Sequence, residues 1–251
     1  MNHERPPREA RFRFYGALND FLPGQRRQGP APYRFGGPVG LRDSIQAQGV
    51  PHPEVSLVLV DSHPRPPTFR LHGGERISVY PRLQHLLPDQ ADRWDTPLPS
   101  PRRFILDVHL GKLCRELRLL GFDCFWSNDL DDPVIIDLAL AQGRIILTRD
   151  LGILKQARVS WGYFVRHTDP TDQVGEVADA LGLGGQYRPL SRCINCNGLV
   201  AKVNRADVEK ELPPGTRRSY DTFYRCDDCR QVYWRGAHYA GLMGKLRHIE
   251  K

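Results

Sequence analysis

Four of the six cysteines stand as two Cys-x-x-Cys pairs in the last quarter of the sequence. A Cys-x-x-Cys turn places two thiolates at tetrahedral spacing, and two such turns complete a closed four-thiolate shell that suits zinc. The spacing therefore predicts a structural zinc ribbon, with an iron–sulfur cluster, a redox pair or free thiols as the alternatives. Metal binding would supply folding free energy to a segment too small for a core of its own. The predicted ligands are Cys193, Cys196, Cys226 and Cys229.

A second group with chemical potential consists of aspartates that follow predicted parallel strands. Because ligands bind beyond the carboxyl ends of such strands, we expect these side chains to meet at one edge of a sheet. Converging carboxylates repel one another, and Mg²⁺ or Mn²⁺, which prefer oxygen ligands, relieve that repulsion. Such an ion can activate water for phosphodiester hydrolysis. The aspartates are Asp107, Asp131, Asp132, Asp150 and Asp169.

Most of these aspartates also have a purely structural interpretation. Asp132 and Asp150 each suit the N-cap of a following helix. Asp169 precedes a proline and suits a turn. Asp107 directly follows an apolar strand, so it has the weakest structural explanation of the group. The spacing alone therefore leaves the catalytic and the structural interpretations open.

Residues 102–188 supply the elements that would position the aspartates. Apolar runs and amphipathic runs alternate four times, in the order strand then helix. Gly121 and Gly143 mark helix ends, and Pro133 marks a first helical turn. The alternation predicts an α/β domain with a parallel sheet, helices on both faces and right-handed crossovers. The predicted strands are RFILDV, DCFWS, RIILTRD and GYFVRH, and the predicted helices are LGKLCRELRLLG, DDPVIIDLALAQG, LGILKQARVS and QVGEVADALGL.

The rest of the chain divides into three further regions. Residues 1–85 show the order ββαβββ, including the alternating strand RFRFY, and predict a small ubiquitin-like β-grasp domain. Residues 86–101 contain four prolines and predict a linker, because proline interrupts helices and sheets. Residues 189–251 hold the cysteine pairs and a short basic tail.

Composition and charge restrict the function classes. The formal net charge of +7 attracts polyanions, of which nucleic acid is the commonest, although basic surfaces without such a partner also occur. A hydrophobic content of 40% predicts a globular protein with a real core. No apolar run has membrane-spanning length, and the segment MNHERPPREARFRF lacks the apolar stretch of a secretory signal. We therefore expect a cytoplasmic protein with no membrane partner.

Three parts of the sequence resemble the Mut7-C RNase family, a branch of the PIN-like nucleases with a C-terminal zinc ribbon. They are FILDVHLGKLCRELRLLGFD, DDPVIIDLALAQGRIILTRD, and RCINCNG together with FYRCDDCRQVYWRGAHY. The resemblance covers roughly residues 102–240, and the first region looks like the ubiquitin-like domain that accompanies some members. The resemblance implies a PIN-like fold and metal-dependent cleavage of RNA by carboxylates around Mg²⁺ or Mn²⁺.

The resemblance also implies roles for individual aspartates. Asp107 matches the first-strand acid, Asp132 or its neighbour Asp131 matches the acid that opens the second helix, and Asp150 matches the acid of the TRD motif. Asp169 is the candidate for a fourth acid. A proline and a valine follow where members often carry a further acidic residue, so the choice between the two adjacent aspartates stays open.

Three functional hypotheses follow from these observations. The first is an endoribonuclease in which water attacks the phosphodiester and Lys112, Thr148 or Arg149 contacts phosphate. The second is a non-catalytic RNA- or ribosome-binding adaptor, with salt-sensitive binding and no turnover. The third is a protein–protein scaffold whose partner binds the ubiquitin-like domain. Aromatic residues beside the cysteines, such as Tyr233 and Trp234, would either contact RNA or pack the small core of the ribbon.

Overall fold

A computed structural model of the protein describes residues 8–27, 29–82 and 93–246. Residues 86–92 of the predicted linker and residues 247–251 of the predicted basic tail lie outside the described residues. Among the described helices, none combines the length and the apolar character that crossing a bilayer requires.

The described chain forms two compact units. The first unit takes the residues up to Pro97 together with Asp150–Phe164. The second unit takes Leu98–Arg149 and the residues from Val165 onward. The short segment Asp150–Phe164 therefore folds with the N-terminal region, although residues on both sides of it fold with the second unit.

A five-stranded sheet with the order β2-β1-β7-β4-β5 forms the first unit, and β1 and β7 run parallel at its centre. Residues of β1 alternate between buried and exposed, so the alternation in RFRFY is confirmed as a half-buried strand. The elements are β1 (Arg8–Phe14), β2 (Ala31–Phe35), β3 (Val39–Gly40), α1 (Leu41–Ala47), β4 (Val55–Val60), β5 (His63–Pro64), β6 (Arg70–Leu71) and β7 (Arg76–Pro81).

One apolar core lies between this sheet and α1. The sheet contributes Phe12, Val58 and Ile77, and the helix contributes Leu41 and Ile45. Each of these side chains is at most 1% exposed. Burying a side chain of this size stabilises the fold by about 1.5–3 kcal/mol. The core therefore holds α1 against one face of the sheet, which is the arrangement predicted for a β-grasp domain.

Three parallel strands with the order β9-β8-β10 form the sheet of the second unit. The residues of β10 are at most 1% exposed, which is typical of strands in a covered parallel sheet. Helix α2 ends before Gly121, whose φ is +95° and where a Cβ would lie 2.2 Å from the Arg188 carbonyl oxygen. The mixed α/β class is therefore confirmed. The elements are β8 (Arg103–Leu106), α2 (Gly111–Leu119), β9 (Asp123–Phe125), α3 (Asp132–Gln142) and β10 (Ile145–Thr148).

The segment that belongs to the first unit contains α4 (Leu151–Lys155) and β11 (Gly162–Phe164). The helix predicted over LGILKQARVS ends at Lys155, earlier than the sequence suggests. The residues that follow also pack within the first unit, where the Val159 carbonyl lies 2.8 Å from His52 Nε2. The Phe164 amide donates to Glu54 Oε1 at 2.7 Å. Tertiary contacts therefore set the end of this helix.

The C-terminal region continues the second unit with α5 (Pro170–Leu181) and a small antiparallel sheet of order β12-β13-β14. Four side chains, Val208, Leu212, Phe223 and Val232, make up the buried apolar cluster beneath this sheet. A core of this size is too small to stabilise a separate fold without a further constraint. The remaining elements are β12 (Val200–Val203), α6 (Pro214–Ser219), β13 (Phe223–Cys226), β14 (Val232–Trp234) and α7 (Ala237–Leu246).

His52 makes the first unit sensitive to acid. Burial, followed by the positive charge of Arg42, lowers the pKa of His52 from 6.5 to about 4, although its contact with the Val159 carbonyl acts in the opposite direction. Between these two pKa values the unfolded chain binds a proton that the folded chain does not. We expect the free energy of unfolding to fall by up to about 3 kcal/mol as the pH drops from about 6.5 to 4.

Urea unfolding from pH 4 to 7 tests this prediction. His52→Gln should flatten the pH dependence, and His63→Gln, which changes an exposed histidine of β5, should leave it unchanged. Equal pH slopes in His52→Gln and the unmodified protein would contradict the assignment.

Candidate functional site

Asp107 stands directly after β8, and three donors fix its carboxylate. Oδ1 accepts from the His109 amide at 2.9 Å, and Oδ2 accepts from the Arg149 amide at 2.9 Å and from the Thr148 hydroxyl. The residue is 4% exposed. A carboxylate offers about four acceptor sites, so the three donors leave capacity for one further ligand. Asp107, for which the sequence offers the weakest structural explanation, therefore caps the turn Val108–Leu110. Its carboxylate also binds the end of β10.

The structure gives Thr148 and Arg149 positioning roles. Thr148 is fully buried, and its hydroxyl donates to Asp107, while the predicted contact of Thr148 with phosphate stays a prediction. Arg149 Nη1 donates to the carbonyls of Val165, Arg166 and His167 at 2.6–3.0 Å. The guanidinium thereby fixes the backbone that leads to α5.

The other candidate aspartates lie at helix N-termini. Asp131, and not Asp132, occupies the N-cap of α3, and both side chains are exposed. Asp150 caps α4 and accepts from the Gly152 amide at 2.6 Å. Asp169 caps α5 and accepts from the two following amides at 2.9 and 3.3 Å. The structural interpretation therefore applies to Asp150 and Asp169, while a role in metal binding stays a prediction.

The four predicted zinc ligands form a single cluster. Their sulfur atoms all lie within 4.8 Å of one another, and this is the one group of three or more Cys, His, Asp or Glu of that kind within the described ranges. Cys193 Sγ is 3.5 Å from Cys229 Sγ, and Cys196 Sγ is 3.5 Å from Cys226 Sγ. Four sulfurs at about 2.3 Å from a tetrahedral zinc lie slightly farther apart than this, whereas a disulfide needs about 2.05 Å. The cluster therefore fits a metal such as zinc.

Within the cluster, the surroundings favour the thiolate of Cys193, whereas burial raises the pKa of Cys226. Burial raises the pKa of Cys193, but the Cys196 amide and the Tyr233 hydroxyl, which lies 3.0 Å from its sulfur, lower the pKa to about 6. Gly198 leaves room for the second pair, because a Cβ there would lie 3.1 Å from Cys226 Sγ. Trp234 packs against the apolar cluster of the ribbon, in agreement with the structural interpretation of that residue.

Two side chains attach the first cysteine pair to β9. Arg118 Nε and Nη2 donate to the Cys124 carbonyl at 3.0 and 2.8 Å, and Nη1 donates to the carbonyls of Ile194 and Asn195 at 3.1 and 2.8 Å. Asn197 Oδ1 accepts from the Cys124 amide at 3.0 Å. The cysteine cluster and the edge of the parallel sheet therefore form one hydrogen-bonded structure.

A cleft of about 690 Å³ opens beside Asp107 within the second unit. Trp126 lines it and donates its indole N–H to the Asp107 carbonyl at 3.1 Å. Lys112, which is predicted to contact phosphate, also lines the cleft, and so does Arg115. Carboxylates are absent from the cleft lining within the described residues, so its charged groups are basic.

Comparison with protein families identifies both regions of the chain. The family model for the Mut7-C RNAse domain matches residues 102–246, more than half of the chain. The chain belongs to the Mut7-C RNAse domain family. The model for the Mut7-C ubiquitin domain matches residues 8–86, so the predicted pairing of the two domains is confirmed. No curated protein and no solved structure resembles the chain closely enough to count as a match.

In this Mut7-C RNAse domain, Arg118 and Asn197 make structurally important contacts that the sequence analysis does not predict. Arg118 looks like an ordinary helical arginine, yet it is only 6% exposed. Asn197 follows the first Cys-x-x-Cys directly and has a φ of +69°, a conformation that asparagine tolerates better than most residues. The Asn-Gly dipeptide after the cysteines is therefore the one local signal that could have indicated this contact.

Asn197 allows a test with two matched variants. Asn197→Gly removes the side chain without backbone strain and leaves the Cys124 amide without its acceptor, at a cost of about 1–3 kcal/mol. Asn197→Ala removes the same contact and adds about 1–2 kcal/mol of strain at positive φ. We expect faster hydrogen exchange of the Cys124 amide in both variants, with Ala the less stable of the two.

Zinc content should stay unchanged in both variants, because the cysteines are intact. An unaltered exchange rate at Cys124 in Asn197→Gly would show that this hydrogen bond does not hold β9.

Proposed function

We propose that this protein is a divalent-metal-dependent endoribonuclease that hydrolyses RNA phosphodiester bonds. The observation that carries the proposal is the Asp107 carboxylate, which three donors hold at the end of β8, within a domain of an RNAse family. The next two residues, Val108 and His109, line a basic cleft. A fixed acid near a basic cleft is an arrangement compatible with metal-assisted hydrolysis of a polyanion.

The proposed metal ligands are Asp107, Asp150 and either Asp131 or Asp132, with Asp169 as a fourth candidate. Carboxylate oxygens are the donors that Mg²⁺ and Mn²⁺ prefer, so the residue types fit the ion. Among the described residues, no three of these carboxylates lie within 4.8 Å of one another, so binding of the ion would have to draw them together. A bound ion supplies an activated water and stabilises the leaving oxygen.

The protein's own residues prepare this chemistry. The Thr148 hydroxyl and the Arg149 amide set the orientation of Asp107. Lys112, exposed on α2, would bind phosphate, because its ammonium group lies on the wall of the cleft. Arg149 contributes by fixing the backbone of residues 165–167.

The remaining parts of the proposal concern organisation and location. We propose domain boundaries at 1–85, 86–101, 102–188 and 189–251, a cytoplasmic location and RNA as the main partner. Zn²⁺ in the cysteine cluster would be structural. A protein partner of the ubiquitin-like domain stays a prediction.

Asp107→Asn tests the nuclease proposal directly. Loss of a group that hydrogen-bonds to a metal ligand lowers metal affinity or activity by about 10–100-fold. Loss of the ligand itself should therefore lower the rate of cleavage by more than about 100-fold. Cleavage of labelled RNA should require added Mg²⁺ or Mn²⁺ and stop when these ions are removed by desalting, which leaves the cysteine site loaded.

The matched control is Thr148→Val, which removes one donor to Asp107 and keeps the carboxylate. We expect cleavage to fall about tenfold in this variant, and higher Mn²⁺ to restore it. Circular dichroism and zinc content verify that both variants fold. Undiminished cleavage by folded Asp107→Asn would falsify the assignment.

One observation favours the adaptor as a second candidate. Asp150 and Asp169 already cap helices, and the metal-type cluster found within the described ranges consists of cysteines. An adaptor would bind RNA in a salt-dependent manner and give no product with any divalent ion. Binding without turnover in the experiment above would select this function.

Zinc in the cysteine cluster is testable separately. We expect one zinc per chain, and none in Cys226→Ser, because a closed four-thiolate site loses its geometry when one ligand is removed. The four-residue core of the ribbon cannot replace the metal, so this variant should also lose the ribbon's near-ultraviolet signal.

Cys114→Ala is the control for this experiment, since Cys114 is buried outside the cluster. Metal analysis that finds zinc retained in Cys226→Ser would rule out the four-cysteine site.

A further inference from the structure

The cleft beside Asp107 continues into a second one. The second cleft has a volume of about 590 Å³ and reaches the cysteine ribbon and the start of α7, where Gln231, Tyr233 and His238 line it. The two clefts share Lys112, Arg115, Pro170, Ile194 and Asn195. All these residues belong to the second unit, and the two adjoining clefts together are called the track.

Positive charge is concentrated where the two clefts meet. Lys112 and Arg115 lie three residues apart on α2, so they project from the same side of the helix, and both are exposed. Glu116 is the one acidic residue among the described side chains that line either cleft, and its Oε1 lies 3.2 Å from His238 Nε2. The meeting point of the clefts therefore favours an anion.

Each cleft also contains one half-buried aromatic ring. Trp126 in the first cleft is held by its bond to the Asp107 carbonyl and by contact with Gly111, where a Cβ would lie 2.6 Å from the indole ring. Tyr233 in the second cleft is held through its hydroxyl, 3.0 Å from Cys193 Sγ. Both rings are fixed before any ligand arrives.

Cations that follow a groove, combined with fixed aromatic rings, are the features by which proteins bind single-stranded nucleic acid. Duplex RNA is recognised differently, through phosphates and sugars across a wide surface of about 16 base pairs. Concave sites of about 300–1,000 Å³ are instead suited to individual buried groups such as bases. The volumes of both clefts lie in that range.

We propose that single-stranded RNA binds along this track, from the sheet edge at Asp107 across α2 to the first cysteine pair and α7. Lys112 and Arg115 bind consecutive backbone phosphates, Trp126 and Tyr233 stack on bases, and Asn195 and Gln231 offer polar contacts from the ribbon. The ribbon is thereby part of the substrate site. This inference rests on the proposed function and identifies the form of its substrate.

The first test measures the affinity for a fluorescent twelve-nucleotide oligouridylate. The full-length, zinc-loaded protein is used without added Mg²⁺ or Mn²⁺, so binding is measured without cleavage. Each phosphate contact on a single strand contributes about 0.7 to the salt slope, so Lys112→Ala with Arg115→Ala should lower the slope by about 1.4. Near 0.1 M salt the Kd should rise about 10- to 30-fold.

The matched control is Lys202→Ala with Arg218→Ala. These residues are exposed in the C-terminal region, line neither cleft, and carry the same charge as the tested pair. We expect less than a twofold change in Kd. Equal losses in the two double variants, or tighter binding of a duplex of the same length, would overturn the proposal.

The second test does not depend on substitutions that affect folding. Oligouridylate that contains 4-thiouridine is crosslinked to the unmodified protein by ultraviolet light, and the modified peptides are mapped. We expect crosslinks at Trp126 and Tyr233. Crosslinks confined to the first unit, for example at Arg11 or Arg13 on the exposed face of β1, would place the RNA elsewhere and refute the track.

Binding and cleavage results separate this inference from the proposed function. If Lys112→Ala with Arg115→Ala loses affinity while no protein cleaves RNA, the track stands and the nuclease proposal fails. If Asp107→Asn abolishes cleavage but the double variant binds and cleaves normally, the nuclease stands and the track fails.

Discussion

The buried guanidinium of Arg118 connects the cysteine cluster to the sheet, and the candidate substrate surface depends on that connection. A buried arginine is stable only when its donors are satisfied, and here three carbonyls from two parts of the chain accept from it. One belongs to β9, an edge strand, and the other two belong to the first cysteine pair. Together with Asn197, the arginine closes the outer edge of β9 against further strand pairing. The ribbon thus covers the edge of β9 where another strand could otherwise pair. The hydrogen bonds of Arg118 and Asn197 also position the walls of both clefts.

Asp107 shows why structural and catalytic roles are hard to separate at a strand end. Its carboxylate holds the turn after β8 to the end of β10, which any well-packed sheet of this kind would need. The same bonds fix the direction of the remaining acceptor site, and a metal ligand needs that fixed direction. In the proposed nuclease, Asp107 would serve both requirements, and its substitution would affect stability and chemistry together.

The sequence predicts those features that depend on local spacing. The alternation in β1, the glycines that end helices and the two cysteine pairs each express a constraint within a few residues, and the structure agrees with them. Features that depend on contacts between residues far apart in the sequence cannot be predicted from local spacing. The burial of Thr148, the use of Arg149 as a backbone clamp and the role of Arg118 all involve partners many residues away. The capping position of Asp131 is a local feature, but two adjacent aspartates give the same pattern, so the sequence cannot choose between them.

The path of the chain through the two units limits where this protein can be cut into fragments that fold. Asp150–Phe164 packs with the N-terminal region through the contacts of His52 and Glu54, yet it is enclosed in sequence by the second unit. A fragment that starts at Leu98 would retain this segment and lose the groups it packs on. The backbone immediately after the TRD motif would then lack its native support. A cut at the proline-rich junction would therefore not release either region of this chain with all of the residues on which it packs.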